Sequence, residues 1–163
     1  MTASVAAMSD VTFGRELASR ILREGYGSGA WHGPDLRAAI SDVSTTMAFH
    51  RPAAGRHNIA EIVMHHAYYV RSVTERLGGT PDAFPLGGED WFTLNDERNF
   101  QWSEVRALLD SLHSQLTAQA AKLSTSGSNA NERMDLILGI TCHAVYHAGQ
   151  IQLIKALATT RSS

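Results

Sequence analysis

The chain has 163 residues, of which 44% are hydrophobic and 18% charged, so we expect one domain with its own core over residues 1–163. Lys and Arg number 14 against 16 Asp and Glu, and no basic run is present, which argues against nucleic acid as a partner. No apolar stretch is long enough for a membrane helix, and the start does not read as a secretory signal, so we expect a cytoplasmic protein without a membrane partner. The single Cys142 excludes an internal disulfide and a zinc site made of cysteines alone.

The periodicity of apolar residues is helical from the start of the chain. Ser9 and Asp10 can cap a first helix, which ends at Gly25. A short helix is predicted from the Gly-Pro-Asp sequence at 33–35 through Ile40, because proline is favoured in a first turn. The stretch 49–57 is interpreted as a connector.

Three further helices are predicted in the rest of the chain. Asn58 followed by Glu61 fits a capping box, and the apolar stripe behind it indicates a helix that ends at Gly78. The connection from 78 to about 100 is rich in Gly, Pro and Asp, and a loop this long is more often functional than idle. Val105 and the leucines that follow it to Leu123 mark a third long helix, and a short turn leads to the last helix at about 132–158.

Four long amphipathic segments can bury their apolar stripes only against one another. The predicted fold is therefore all-α, a four-helix bundle with an additional short helix and no strand.

Histidines interrupt the apolar face of the last helix. On a helical wheel, the apolar residues of this face are Leu136, Ile140, Ile151, Leu153, Ile154 and Leu157. In its middle lie His143, His147 and Gln150. Because the histidines are four residues apart, both imidazoles can reach one cation. Two histidines leave a metal under-coordinated, so a third ligand must come from another helix. The helix after Asn58 offers His65 and His66, of which periodicity favours His66.

These motifs resemble those of the DinB family of metal-binding four-helix bundles. The resemblance is carried by HNIAEIVMHHAYYV, GGEDWF, AWHGPDL and, most specifically, GITCHAVYHAGQIQLI. It implies that three histidines on two helices hold a divalent metal. Carried over by motif, they are His65, His143 and His147. His66 stands where the family usually has an apolar residue, and it remains the alternative to His65.

Three neutral imidazoles leave a bound metal Lewis acidic, with a position open for water or substrate. Zinc is the first expectation, while nickel, iron and copper also suit imidazole ligands. Such a site can activate water for hydrolysis, or bind a thiol as thiolate. The resemblance implies the second route, because some relatives are thiol S-transferases that use low-molecular-weight bacterial thiols. We therefore expect a small-molecule substrate and a thiol as a second cofactor. The alternatives are a non-catalytic metal-binding bundle and a bundle that forms a homodimer.

Several side chains near the histidines have two interpretations each. Gln150 and Tyr146 share the inner face and can orient water or substrate, but Gln150 as a hydrogen-bond partner of a ligand and Tyr146 as core are favoured. Glu61 can steer His65 or act as a base, although completion of the capping box is favoured. Cys142 is expected to be a buried, inert thiol.

The remaining histidines and the tryptophans are assigned from their positions. Surface histidines are expected at His32, His50, His57 and His113. Trp31 and Trp102 are expected in the core. Trp91 and Phe92 of the long loop either wall the mouth of a pocket or pin the loop to the bundle.

Overall fold

Six α-helices make up the regular structure of the computed structural model, which describes residues 2–27, 29–124 and 127–160. They are α1 (Thr2–Gly25), α2 (Leu36–Ile40), α3 (Thr45–Phe49), α4 (Ile59–Arg76), α5 (Trp102–Ala120) and α6 (Ala130–Thr160). No strand occurs in these ranges, which confirms the all-α prediction. Among the described helices, none combines the length and the apolar character that crossing a membrane requires.

The four long helices pack in a closed ring. α1 contacts α6, α6 contacts α4, α4 contacts α5, and α5 returns to α1. The short helices lie outside this ring, α2 against α6 and α3 against α4. Helices α5 and α6 therefore lie diagonally across the bundle, although the shortest connection between any two long helices joins them. α4 touches both of them, so side chains from α4 can meet those of α5 and α6 in the interior.

The start of α4 fixes how that helix faces the core. The Asn58 side chain accepts a hydrogen bond from the Glu61 amide at 2.9 Å, and the Glu61 carboxylate accepts one from the Asn58 amide at 3.3 Å. The predicted capping box is thus present. It satisfies amide groups that a helix N-terminus otherwise leaves unpaired, and the predicted apolar stripe of α4 is buried behind it.

In the first part of the chain the structure differs from the prediction at the start of α1 and by one additional helix. Helix α1 begins at Thr2, so Ser9 and Asp10 lie inside the helix and the prediction that they cap its start is wrong. The second difference is α3, a helical turn that the sequence reasoning did not predict. The Ser44 hydroxyl caps it by accepting a hydrogen bond from the Met47 amide at 3.2 Å.

Some residues expected in the core are on the surface. Trp102 is buried as predicted, with its indole N–H donating to the Val43 carbonyl at 2.8 Å. Trp31 is 89% exposed in the connection between α1 and α2, so its assignment to the core is wrong. Leu153 and Leu157 of α6 are also exposed, and so is Cys142, against prediction. Apolar residues surround most of the α6 circumference, and hydrophobicity alone therefore could not select its buried face.

Candidate metal centre

Three imidazoles from two helices converge in the bundle interior. His65 comes from α4, and His143 and His147 come from α6. The Nε2 atom of His143 lies 3.3 Å from Nε2 of His65 and 3.0 Å from Nε2 of His147. One ligand atom from each residue lies within 4.8 Å of the others. The three histidines are thus positioned to hold a metal ion.

His66 lies behind this cluster. Its Nδ1 is 2.9 Å from Nδ1 of His143, and its Nε2 is 3.0 Å from Nε2 of His113, so both of its nitrogens are directed at other imidazoles. His66 is fully buried in the centre of the α4 stripe, as periodicity predicted. His65, at the border of that stripe, is the residue whose Nε2 joins the Nε2 atoms of His143 and His147. The centre of the stripe therefore identified the most buried histidine of α4 and not the one in the cluster.

The hydrogen bonds at Nδ1 of His65 and of His147 determine which ring nitrogen carries the proton. His65 Nδ1–H donates to the backbone carbonyl of Asp90 at 2.8 Å, and His147 Nδ1–H donates to Oε1 of Gln150 at 2.7 Å. Because both partners are oxygen acceptors, a neutral His65 and a neutral His147 carry bare lone pairs on Nε2.

Those two lone pairs face Nε2 of His143, which can offer one proton at most. A metal cation can accept the lone pairs of all three Nε2 atoms at once, whereas one proton cannot. Ligand nitrogens arranged tetrahedrally about a divalent ion at 2.0–2.1 Å are separated by about 3.3 Å. This is close to the 3.3 and 3.0 Å that separate Nε2 of His143 from Nε2 of His65 and of His147. The donor set therefore fits a divalent metal.

Burial keeps the cluster in the form that a metal requires. It lowers the pKa of His143 to about 4 and that of His147 to about 4, although the hydrogen bond with Gln150 opposes the second shift. Burial lowers the pKa of His65 as well. All three imidazoles are thus neutral at pH 7 and available as ligands.

The long loop between α4 and α5 closes over His65. The Trp91 ring stacks between the rings of His57 and His65, with centroid distances of 3.7 and 3.8 Å. Phe92 is buried and packs near Tyr68. Each of the two interpretations therefore holds for one residue: Trp91 forms a wall of the site, and Phe92 anchors the loop to the bundle.

Sequence reasoning did not assign roles to Asp90 and Tyr69. Besides its carbonyl contact with His65, Asp90 accepts a hydrogen bond from the Tyr69 hydroxyl at 2.7 Å. That hydrogen bond is the largest cause of the lowered pKa of the Asp90 carboxyl. The signal in the sequence was the GGEDWF loop itself, which places Asp90 beside Trp91.

Glu61 holds the loop and the connector rather than His65. Its buried carboxylate accepts two hydrogen bonds from Arg51, at 2.5 and 3.1 Å, and one from the Leu94 amide at 3.1 Å. His57 Nδ1 lies 3.0 Å from the same carboxylate. Within the described part of the chain no hydrogen bond joins Glu61 to His65, and the favoured capping interpretation is the one observed.

Gln150 links the cluster to the surface. Its Oε1 accepts from His147, and its Nε2 donates to the Tyr146 hydroxyl at 3.0 Å. Tyr146 is 63% exposed, so the expectation that it lies on the inner face is wrong. Tyr146 lies on an apolar face of α6 that is open to solvent. Because apolar residues surround most of this helix, hydrophobicity alone did not distinguish that face from the buried one.

His113 is the histidine that sequence reasoning misplaced. It is buried against prediction, and its ring stacks on Tyr26 with a centroid distance of 3.9 Å. The positions Leu109, His113 and Leu116 share one face of α5, and that spacing was the available signal. The other histidines expected at the surface, His32, His50 and His57, are exposed.

A pocket of about 460 Å³ lies beside residues that contact the histidine cluster, although none of the three clustered histidines lines it. Trp91 and Gln150, which contact His65 and His147, form part of its wall. The side chains of Ile62 and Leu153 add apolar surface, and Arg56 adds a cationic group. A larger cavity of about 760 Å³ lies between α3 and residues 96–98, and none of the clustered histidines lines it.

Fold and site together define an all-α bundle with an interior histidine cluster that can bind a metal ion. A sequence model of the DinB superfamily matches residues 30–151, which contain all three clustered histidines. The chain belongs to the DinB superfamily, as the motif resemblance indicated. No curated protein and no solved structure matches the chain.

Proposed function

We propose that this protein is a divalent-metal-dependent enzyme that acts on a small molecule, with thiol transfer to an electrophile as the leading reaction and hydrolysis as the second. The observation that carries the proposal is the convergence of Nε2 atoms from His65, His143 and His147 beside an open pocket. Lone pairs that face one another at 3.0–3.3 Å are unfavourable without a cation between them.

Zinc is the first metal that we propose for the site, and nickel or iron fit the same donors. The cluster contributes three neutral ligands and no carboxylate. A bound divalent ion supplies Lewis acidity, which favours the deprotonated form of a thiol or water ligand near neutral pH. A low-molecular-weight thiol is the proposed second cofactor.

The residues of the chain position the reactants. Gln150 is held between His147 and Tyr146, so its amide is fixed at the boundary between cluster and pocket. Trp91 covers one side of His65 and limits the access of water from the loop side. In this proposal the substrate binds in the pocket and reaches the cluster past Gln150, which contacts both.

The pocket lining supports a substrate with an apolar body and a negative group. Ile62, Trp91 and Leu153 offer apolar contact. The Arg56 guanidinium has no partner among the described residues, and no acidic residue lines this pocket. A carboxylate or similar anion at the far end of the substrate would pair with Arg56.

A metal count on purified protein tests the site. The protein is prepared in metal-replete medium without chelators, and bound zinc, nickel and iron are measured by mass spectrometry. We expect about one metal ion per chain in the wild type and a large loss in His143→Ala. The matched control is His50→Ala, which removes an exposed histidine outside the cluster and should leave the metal content unchanged. Equal metal content in all three proteins would contradict the proposal.

Turnover then distinguishes the two reactions. The metal-loaded protein is incubated with several small thiols and a panel of electrophiles, and separately with activated esters and amides. Thioether products that form only with metal support the transferase, whereas hydrolysis without thiol supports the second reaction. Arg56→Leu should raise KM for anionic substrates and leave that for neutral analogues unchanged.

A non-catalytic metal site is the alternative, and one observation favours it. The cluster is joined through His66 to His113 in the core, so metal binding is coupled to packing. This alternative predicts that metal raises the melting temperature while no thiol or azide binds to the loaded protein. Spectroscopic titration of the cobalt-substituted protein with these ligands decides between the two functions.

A further inference from the structure

A line of three imidazoles runs from the cluster across the bundle. Nδ1 of His143 on α6 is 2.9 Å from Nδ1 of His66 on α4, whose Nε2 is 3.0 Å from Nε2 of His113 on α5. His66 is fully buried and His113 is 7% exposed. The proposed metal chemistry uses neither His66 nor His113.

The direction of these hydrogen bonds depends on His143. Each neutral imidazole has one N–H donor and one acceptor nitrogen. If Nε2 of His143 is a metal ligand, the proton of that ring is on Nδ1 and is donated to His66. His66 then carries its own proton on Nε2 and donates it to Nε2 of His113, so the proton of His113 must be on Nδ1. With a proton on Nε2 of His143 instead, every hydrogen bond in the line is reversed.

We propose that His66 and His113 are positioning residues for the metal site, because together they form a directional hydrogen-bonded line that holds His143 with Nε2 free for the metal. This inference rests on the proposed metal site. Neither residue touches the metal position, since His66 acts on His143 and His113 acts through His66.

The far end of the line is held in place by its surroundings. Tyr26 stacks on His113 with an interplanar angle of 6°, and its hydroxyl donates to the Asp110 carboxylate at 2.6 Å. The ring plane of His113 is therefore fixed, and with it the position of the acceptor nitrogen that His66 needs. Replacing His113 with an apolar residue would leave the Nε2–H of His66 buried without an acceptor.

Zinc affinity in three variants tests the inference. Affinity is measured by competition with a chromophoric chelator. We expect His113→Leu to weaken zinc binding about tenfold, and His113→Gln to restore most of it because an amide oxygen can accept from His66. The control is Leu116→Ala, which opens a cavity on the same face of α5 but removes no hydrogen bond of the line, and it should leave the affinity unchanged. Equal affinities in wild type and His113→Leu would overturn the inference and leave the metal site standing. Absence of zinc binding in the wild type would overturn both.

The proton positions provide a second readout that a purely structural role would not produce. In protein labelled with ¹⁵N-histidine and loaded with zinc, two-bond ¹H–¹⁵N couplings report which nitrogen of each ring is protonated. We expect His66 to be protonated on Nε2 and His113 on Nδ1. A zinc-loaded protein with His113 protonated on Nε2 would contradict the proposed direction, whatever the affinities are.

Discussion

The burial of His113 predicts a loss of stability in mild acid that one substitution should remove. Burial lowers the pKa of His113 from its ordinary value of 6.5 to about 3 in the folded protein. Between these two values the unfolded chain binds a proton at His113 and the folded chain does not. The stability that depends on neutral His113 is therefore complete above pH 6.5 and decreases as the pH falls.

The magnitude follows from the two pKa values. Each pH unit below 6.5 costs about 1.4 kcal/mol, so lowering the pH from 7 to 5 removes about 2 kcal/mol of folding free energy through His113. A native pKa anywhere below about 4 gives nearly the same figure. For a domain whose total stability is on the order of 5–15 kcal/mol, this loss is readily measured.

The assay is urea unfolding of metal-free protein at pH 7 and pH 5, for the wild type and His113→Gln. Glutamine does not titrate, and the other buried histidines are present in both proteins and cancel in the difference. At pH 7 the variant should be less stable, because the contact with His66 is altered. At pH 5 the difference between the two proteins should have changed by about 2 kcal/mol in favour of the variant. A difference that stays constant between the two pH values would refute the reasoning.

Three other predictions concern the loop and the surface of α6. Glu61→Gln should lower the free energy of unfolding by about 2 kcal/mol at pH 7, because it breaks the ion pair with Arg51. Burial raises the pKa of Glu61 but its hydrogen bonds lower it more, so urea titrations should show this penalty shrinking as the pH falls through the native pKa. Zinc titration should change the Trp91 fluorescence through its stacked partner His65, and Trp91→Phe should abolish that change even though the other tryptophans remain. Finally, Cys142 should react with a maleimide in the folded protein without a shift in melting temperature, and mass spectrometry showing an unlabelled thiol would contradict its exposure.

The sequence predicted the helices well where several local signals agreed. In α4 the capping box, the apolar stripe and the glycines after it all indicate the same boundaries, and the structure has them. In α6 the apolar residues surround the helix, so the wheel assigned Leu153 to the buried face although it is exposed. Trp31 shows the same limit in a loop, because no periodicity exists there to oppose the general tendency of tryptophan to be buried.

The candidate site shows a different limit. The spacing of His143 and His147 was sufficient to predict that they face one point, because both lie on one helix. The choice between His65 and His66 depended on how far α4 is rotated against α6, and a wheel for a single helix does not contain that angle. The contact between Asp90 and His65 depends on how the long loop folds back. Interactions within one helix were therefore predictable, whereas those between elements required the structure.

The same burial explains both the suitability of the cluster for metal and the acid sensitivity of the fold. Low pKa values at His143 and His147 keep their nitrogens unprotonated far below pH 7, so protons compete weakly with a metal in the folded state. In the unfolded chain the same histidines take up protons below pH 6.5, which favours unfolding when no metal is present. A ligand that binds only the folded state adds about 4 kcal/mol when its concentration is a thousand times its Kd. Metal bound at this cluster would therefore oppose the cost of burying His65, His66, His113 and His147 and of partly burying His143. The stability of the bundle and its metal site are thus physically linked.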